Sequence, residues 1–356
     1  MYQHFYGLRE LPFELTPNPK YLYLPPGHRE ALSTLEYGLS SAKPVTALIG
    51  EAGTGKTTLL YAALESERCR NVSCVYLNNP LLTRKEFVET LSLRFGLSAH
   101  AGMSKAGLLD ELGTVLKERR ARGQITALVI DEAQSMSGVL LEEIRLLANT
   151  ETPTEKLLPV VLAGQPELTD RLNEPGLRQL KQRVTLRCTI EPFSVQETAA
   201  YIAHRIRMAG GDAAKIFTRE AVMLIHERSS GIPRIISVIC DNSLLTGFAL
   251  GRPTLDSSVV LEVAHDFDLG ARRGALDFVS SADAEAVDPP RSDDVIVEPA
   301  DDASDHDTTI IERLPLVPQE TSESAVSRER ELFVESRRPS RFSIFGRHNE
   351  GQRAKS

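Results

Sequence analysis

The stretch that decides the fold is Val45-Thr46-Ala47-Leu48-Ile49-Gly50-Glu51-Ala52-Gly53-Thr54-Gly55-Lys56-Thr57-Thr58. Its first five residues form an apolar run typical of a buried strand, and residues 50–57 fit the pattern GxxxxGK[ST] at every specified position. A helical pattern begins at Lys56. Glycines have no Cβ, so such a turn can wrap closely around phosphate oxygens, and the helix N-terminus adds a positive dipole end. The sequence therefore predicts a phosphate-binding loop.

Each position of this loop has a predicted part in binding a nucleoside triphosphate. Lys56 would reach the β- and γ-phosphates, Thr57 would coordinate Mg²⁺, and Thr58 would lie near the α-phosphate. Backbone N–H groups of the loop would point at the phosphate oxygens. The predicted nucleotide-binding residues are Gly50, Glu51, Ala52, Gly53, Thr54, Gly55, Lys56, Thr57 and Thr58.

A second apolar run, residues 125–130, ends in two adjacent carboxylates, Asp131 and Glu132. Asp131 is predicted to hold Mg²⁺, directly or through water. Glu132 is predicted to polarise the attacking water for in-line displacement at the γ-phosphate. The alternative interpretation is a solvated turn, but the phosphate loop upstream favours the catalytic one. An Asp alone at a strand end is found in many nucleotide binders, whereas an Asp-Glu pair favours hydrolysis.

The rest of the body alternates short apolar runs with amphipathic helical patterns. Further strands are predicted at 74–77, 157–163 and 184–190, with helices at 84–95, 105–122 and 138–148. Continuous apolar runs are typical of parallel strands that are buried on both faces. Strands separated by helices imply right-handed crossovers and a three-layer αβα domain. The phosphate-loop motif at residues 50–57 predicts that this domain is of the P-loop NTPase kind.

Beyond Pro192 the pattern predicts helices only, at 195–209, 219–229, 233–250 and 257–265. The predicted organisation is an N-terminal latch segment with a first helix (1–42), a P-loop core (43–191), a small helical lid (192–269) and a tail (270–356). Asp, Glu, Ser, Pro and Arg dominate the tail, which predicts disorder.

Charge is distributed unevenly along the chain, whose formal net charge is −8. Residues 1–269 carry a net charge of −2, residues 277–323 carry −12 and residues 327–356 carry +4. No broadly basic face is expected, so nucleic acid is not a favoured partner. No run of 18 apolar residues occurs, which excludes a membrane-spanning helix. The N-terminus lacks a secretion-signal pattern, which predicts a cytoplasmic protein or one held peripherally at the inner membrane by a partner.

Several further motifs carry a family resemblance. They are the opening MYQHFYGL (1–8), TPNPKYLYL (16–24), Asp131-Glu132-Ala133-Gln134 and LAGQPEL (162–168). The order of phosphate loop, Asp-Glu pair, strand and helical lid resembles the AAA+ ATPases. Over about residues 1–268, the motifs resemble more closely the ExeA/GspA-type ATPases of general secretion. Transposition regulators of the TniB and MuB kind are similar but less close.

The resemblance implies that the nucleotide is ATP and assigns roles to four more residues. Gln165 occupies the sensor-1 position, where it would contact the γ-phosphate or the attacking water, unless it is a polar strand cap. Arg234, in the motif Gly231-Ile232-Pro233-Arg234, corresponds to sensor 2, with a solvated arginine as the alternative. Arg183 is the favoured arginine finger and Arg178 the reserve, although either could be a plain surface charge. A finger acts on the neighbouring subunit, which implies self-association as a ring or dimer.

The aromatic residues of the opening segment allow two interpretations of equal weight. They would pack over the adenine side of the nucleotide, or they would form a hydrophobic latch that holds the N-terminus on the body. The residues concerned are Phe5, Tyr6, Phe13, Tyr21 and Tyr23.

Three functions fit these observations. The first is an ATP-hydrolysing assembly or remodelling factor that serves an envelope secretion or export system through a partner protein. The second is a DNA-associated ATPase of the transposition-regulator kind, which the near-neutral body and acidic tail disfavour. The third is a nucleotide-gated scaffold that hydrolyses slowly. Secretion members of the GspA kind carry a transmembrane helix and a peptidoglycan-binding region that this sequence does not show, so the resemblance favours the motor and not the periplasmic role.

Overall fold

The centre of the molecule is a five-stranded parallel sheet with the strand order β2-β3-β4-β1-β5. The computed structural model describes residues 1–16, 18–78 and 81–269. The strands are β1 (Val45–Gly50), β2 (Val72–Leu77), β3 (Ile125–Ile130), β4 (Val160–Gly164) and β5 (Val184–Ile190). Because β4 lies between β1 and β3, the carboxyl ends of these three strands meet at one edge. Ligands of open α/β sheets bind at this edge.

Helices cover both faces of the sheet and form a separate layer near the C-terminal end of the described chain. Those of the first part are α1 (Tyr2–Phe5), α2 (Pro26–Ser40), α3 (Lys56–Glu65), α4 (Arg84–Phe95), α5 (Lys105–Ala121), α6 (Gly138–Leu147), α7 (Glu167–Leu172) and α8 (Arg178–Lys181). Those of the lid are α9 (Val195–Met208), α10 (Ala213–Ile216), α11 (Arg219–Ser229), α12 (Pro233–Ala249) and α13 (Ser257–Asp266). Short 3₁₀ helices are present at Pro19–Tyr21, Glu67–Cys69, Ala101–Met103, Ala133–Ser135 and Pro175–Leu177.

The alternation of side chains along the strands divides the core into two layers. Ala47 points into a cluster with α4, α5 and α6, which also contains residues such as Phe87 and Ile144. Its neighbour Leu48 points to the opposite face, into a cluster with Leu35 of α2 and others of α3. Since successive side chains of a strand point to opposite faces, the uninterrupted apolar runs are explained by burial on both sides.

The opening segment packs on the lid. The buried residues Tyr2, Tyr6, Leu8, Phe13 and Tyr21 belong to the same hydrophobic cluster as the lid helices. The Tyr6 hydroxyl donates to the backbone oxygen of Arg252 at 3.0 Å, and the Tyr2 hydroxyl donates to Asp241. These contacts fit the latch interpretation for this part of the segment.

The predicted parallel αβα architecture with a helical lid is confirmed, with corrections to two strand bounds. Strand β2 begins at Val72 and not at residue 74, and the fourth strand begins later than predicted. Residues 157–163 were expected to be extended, but β4 begins at Val160. Pro159 has no N–H to give to the ladder, so Leu157 and Leu158 are buried without joining the strand. The predicted disordered tail lies outside the described residues. Among those described, none of the helices has the length and apolar character needed to span a membrane.

Candidate active site

The loop between β1 and α3 has a backbone conformation that depends on glycine. Gly53 and Gly55 have φ values of +79° and +101°, in the left-handed region that other residues avoid. A Cβ on Gly53 would come within 2.9 Å of the Arg234 Cβ. The loop is further fixed by the Thr54 hydroxyl, which donates to the Glu51 oxygen at 2.8 Å. The conformation of the loop is therefore fixed by its glycines and by its own hydrogen bonds.

Lys56 is the buried cation of this loop, with a side chain only 5% exposed. Its Nζ donates to the backbone oxygens of Gly50 at 2.8 Å and Glu51 at 3.1 Å. Burial lowers the pKa of Lys56, while the nearby carboxylates of Glu132 and Asp131 act in the opposite direction. An ammonium group has three N–H donors, so one donor remains for an anion in the loop.

Asp131 follows β3 and is buried beside α3. Its Oδ2 accepts hydrogen bonds from the Thr57 hydroxyl at 2.8 Å and the Tyr76 hydroxyl at 2.5 Å. Its Oδ1 accepts from the backbone N–H of Glu132 at 3.0 Å. Burial, followed by the bond to Asp131, raises the pKa of Tyr76, so its hydroxyl remains a donor.

The oxygen donors of Thr57 and Asp131 suit Mg²⁺, a hard cation that protein sites usually hold with few carboxylates and the phosphates of a substrate. Among the described residues, no group of three or more His, Cys, Asp or Glu side chains could hold a metal ion by itself.

Glu132 is held by two amide side chains. Gln134 Nε2 donates to its Oε2 at 2.6 Å, and Gln165 Nε2 donates to the same oxygen at 3.3 Å. The Gln165 backbone N–H donates to Gln134 Oε1 at 3.1 Å, which links the ends of β3 and β4. Within the described chain no hydrogen bond reaches Oε1 of Glu132. The backbone φ of Glu132 is +54°, which is uncommon for a residue with a side chain. Such conformations are often found at functional sites.

A cleft of about 380 Å³ opens beside these groups, in the size range of small-molecule sites. Its walls come from the phosphate loop, the start of α3, the N-terminal segment and the lid. Tyr21 and Tyr23 line it, and the Tyr23 ring packs on Phe193 of the lid with ring centroids 5.7 Å apart. Phe5, Tyr6 and Phe13 are not among the described lining residues, so only the last two predicted aromatics border the cleft.

Arg234 and His28 connect the lid and α2 to the phosphate loop. The Arg234 backbone N–H donates to the Gly53 oxygen at 3.2 Å, and its exposed side chain lines the cleft. His28 Nε2 donates to the Thr54 oxygen at 3.0 Å, and burial lowers the pKa of this imidazole. These contacts join the start of α12 and helix α2 directly to the phosphate loop.

The two candidate finger arginines have different surroundings. Arg183 is partly buried; its Nε donates to the Asn149 side chain, and Nη1 donates to the Gln179 oxygen at 3.2 Å. Arg178 is exposed at the start of α8, and its side chain makes no hydrogen bond or ion pair with any residue in the described ranges. Only Arg178 is therefore available to a neighbouring molecule without breaking existing contacts.

The structure brings most of the predicted site residues together. Lys56, Thr57, Asp131, Glu132 and Gln165 meet at the carboxyl edge of the sheet. Sequence reasoning gave no role to two residues that contact these carboxylates, and each had a usable signal. Gln134 follows the acidic pair by two positions, and Tyr76 stands near the end of the strand that pairs with β3. Parallel pairing places both at the same edge.

Comparison with known proteins identifies a matching family and a relative that aligns with most of the chain. Residues 39–172 match the family described as AAA domain. General secretion pathway protein A of Aeromonas hydrophila is 41% identical over 251 residues, which cover 70% of this chain and 46% of that protein. The chain thus spans less than half of the length of this relative. The similarity confirms the predicted resemblance to the GspA type.

Solved structures share the fold at low sequence identity. The ORC2 protein of Aeropyrum pernix superimposes with a TM-score of 0.53 at 17% identity, covering 73% of this chain and 72% of that one. Cdc6p of Pyrobaculum aerophilum gives a TM-score of 0.55 at 18% identity, covering 72% and 70%. These likenesses confirm the P-loop fold of the AAA+ kind.

Proposed function

We propose that this chain, which contains an AAA domain and resembles general secretion pathway protein A, binds ATP with Mg²⁺ and hydrolyses it. The observation that carries this proposal is the meeting of two groups at one cleft. Lys56 is buried in a glycine-rich loop suited to anions, and Asp131 with Thr57 offers oxygen ligands beside it. A buried ammonium that has no carboxylate within ion-pairing distance in the described chain is suited to phosphate.

The chain's own groups have separate parts in the reaction. The loop N–H groups and Lys56 would bind the β- and γ-phosphates, and Thr57 with Asp131 would hold Mg²⁺. The ion would neutralise charge on the phosphate oxygens when bound. Glu132 would accept the proton of the attacking water at Oε1, the oxygen that its two amide partners leave open.

Gln134 and Gln165 would keep the Glu132 carboxylate in one orientation, which lowers the entropic cost of placing the water. Gln165 would also be within reach of the water or the γ-phosphate, as the sensor-1 position implies. Arg234 would extend from the lid to the phosphates and act as sensor 2, since it borders the cleft and is bonded through its backbone to Gly53. Nucleotide state would then set the position of the lid.

Adenine is the proposed base. The resemblance favours ATP, and the Aeropyrum pernix ORC2 protein, which shares the fold, was determined as ADPNP–ADP complexes. Tyr23 and Tyr21 border the cleft and would contact the base or ribose. The phosphate loop itself does not read the base.

Replacing Lys56 by alanine tests nucleotide binding directly. Loss of a charge-assisted hydrogen bond of about 1.5–3 kcal/mol is expected to weaken ATP binding by roughly 10–100-fold. The measurement is titration of a fluorescent ATP analogue in the presence of Mg²⁺. Lys117→Ala, at an exposed position on α5, is the matched control and is expected to bind like the wild type. Equal affinity of the Lys56→Ala and wild-type proteins would contradict the proposal.

The proposed cellular role is assembly or remodelling in an envelope secretion or export system, with the chain in the cytoplasm or held at the inner membrane by a partner. The support is the 41% identity to general secretion pathway protein A over 70% of this chain. The test uses the full chain carrying Glu132→Gln, a substitution chosen so that ATP stays bound. We expect this variant to co-purify with a secretion-system protein after crosslinking in its native cells.

A DNA-binding assay on the full chain tests the alternative, DNA-associated role. DNA binding through phosphate contacts would weaken steeply as salt increases, because counterions are released. We expect no DNA shift at low salt with ATP and Mg²⁺, since residues 1–269 carry a net charge of only −2. A salt-sensitive shift without any envelope partner would overturn the secretion role and leave the ATPase proposal intact.

A further inference from the structure

Tyr76 lies near the end of β2, in the register position opposite Val129 of β3. Its hydroxyl donates to Oδ2 of Asp131 at 2.5 Å, and its ring stacks on Tyr61 of α3 with an interplanar angle of 17° and centroids 5.7 Å apart. The stack holds the Tyr76 ring in place and thereby fixes the position of the Tyr76 hydroxyl. None of the predicted nucleotide contacts uses this residue.

The acceptor capacity of Asp131 shows what the Tyr76 bond does. A carboxylate oxygen has about two lone-pair sites. On Oδ2 both are used, because Thr57 and Tyr76 each donate to it. On Oδ1 one is used, by the Glu132 N–H. The remaining acceptor site within the described contacts is therefore on Oδ1, and the carboxylate cannot rotate without losing three hydrogen bonds.

We propose that Tyr76 is a positioning residue for Mg²⁺ binding: it keeps Oδ2 of Asp131 directed at the Thr57 hydroxyl and leaves Oδ1 for the ion or its water. This inference rests on the proposed nucleotide site. Groups that orient a metal ligand from behind typically contribute 10–100-fold to metal affinity. Removing the Tyr76 hydroxyl is therefore expected to weaken Mg²⁺ binding, while nucleotide affinity without Mg²⁺ stays nearly unchanged.

The experiment compares two variants that each lose one phenolic oxygen from the same stacked pair. Tyr76→Phe removes the donor to Asp131, whereas Tyr61→Phe removes a hydroxyl from the more exposed ring, whose described contact is the stack itself. Binding of a fluorescent ATP analogue to the full chain is titrated against free Mg²⁺ and repeated in EDTA. Tyr76→Phe is expected to raise the Mg²⁺ concentration for half-saturation by about 10–100-fold. The nucleotide affinity of Tyr76→Phe in EDTA is expected to stay within twofold of wild type. For Tyr61→Phe, both the Mg²⁺ concentration for half-saturation and the affinity in EDTA are expected to stay within twofold of wild type.

Incorporation of 4-aminophenylalanine at position 76 separates positioning from a folding defect, because it keeps the ring and an N–H donor of similar reach. This variant is expected to regain most of the wild-type Mg²⁺ dependence. A Tyr76→Phe protein with unchanged Mg²⁺ dependence, an equal shift in Tyr61→Phe, or no recovery with the amino variant would each overturn the inference. A wild-type chain that binds no nucleotide with or without Mg²⁺ would instead refute the proposed function.

Discussion

Replacement of Glu132 by glutamine is expected to lower ATP turnover by about 10²–10⁴-fold while ATP remains bound, because a general base of this kind contributes a factor of that size. Glutamine has nearly the shape of glutamate, and its side-chain oxygen can still accept from Gln134 and Gln165. It cannot accept a proton from water at neutral pH. The phosphate contacts of Lys56 and the Asp131 carboxylate are left in place.

The measurement combines steady-state phosphate release with binding of a fluorescent ATP analogue. Glu65→Gln, at an exposed position at the end of α3, makes the same chemical change away from the cleft and is expected to retain wild-type turnover. Turnover of the Glu132→Gln protein within a few-fold of wild type would reject the role of Glu132 as base. A low turnover in both wild type and variant, with tight ATP binding, would support the slowly hydrolysing scaffold.

Much of the candidate site at the carboxyl edge of the sheet could be predicted, because local sequence patterns and the sheet topology together determine it. The phosphate loop needs specific residue types at fixed spacing, and the apolar runs before it and before Asp131 define parallel strands. Once both strands are placed in one sheet, their carboxyl ends must meet, and the contact between Thr57 and Asp131 follows. Helices with clear caps, such as α4 with its Thr83–Glu86 capping box, could likewise be bounded from sequence.

Other features depend on packing between distant segments, which no local pattern contains. Tyr76 has the pattern of an ordinary strand residue, and its hydroxyl finds Asp131 only because β2 pairs with β3. The opening aromatics fit two environments equally well from sequence; the choice for Tyr6 depends on a lid residue 246 positions away. The late start of β4 depends on one missing N–H, at Pro159, within an apolar run that otherwise looks continuous.

Replacement of Arg178 by alanine is expected to lower ATP hydrolysis by about 10³–10⁵-fold, the contribution of an arginine supplied to a neighbour's γ-phosphate. Affinity for ATP is expected to stay near wild type, because Arg178 does not line the cleft of its own subunit among the described residues. Arg183→Ala is the comparison. The sequence pattern favoured Arg183, but its guanidinium already donates to Asn149 and Gln179. We therefore expect Arg183→Ala to lose less turnover than Arg178→Ala and to lower the stability of the fold measurably.

A mixing experiment distinguishes action on a neighbour from action within one chain. The Lys56→Ala protein has a defective cleft but an intact Arg178, whereas the Arg178→Ala protein has an intact cleft and lacks the guanidinium. If Arg178 acts across a subunit boundary, the two inactive proteins will restore hydrolysis when combined, with a maximum at intermediate ratios and a loss on dilution. Failure to restore activity, although both variants co-assemble in crosslinking, would place the effect of Arg178 within its own subunit. Since an exposed guanidinium without contacts in the described chain contributes little to folding, such a result would have to come from movement of α8 towards the cleft.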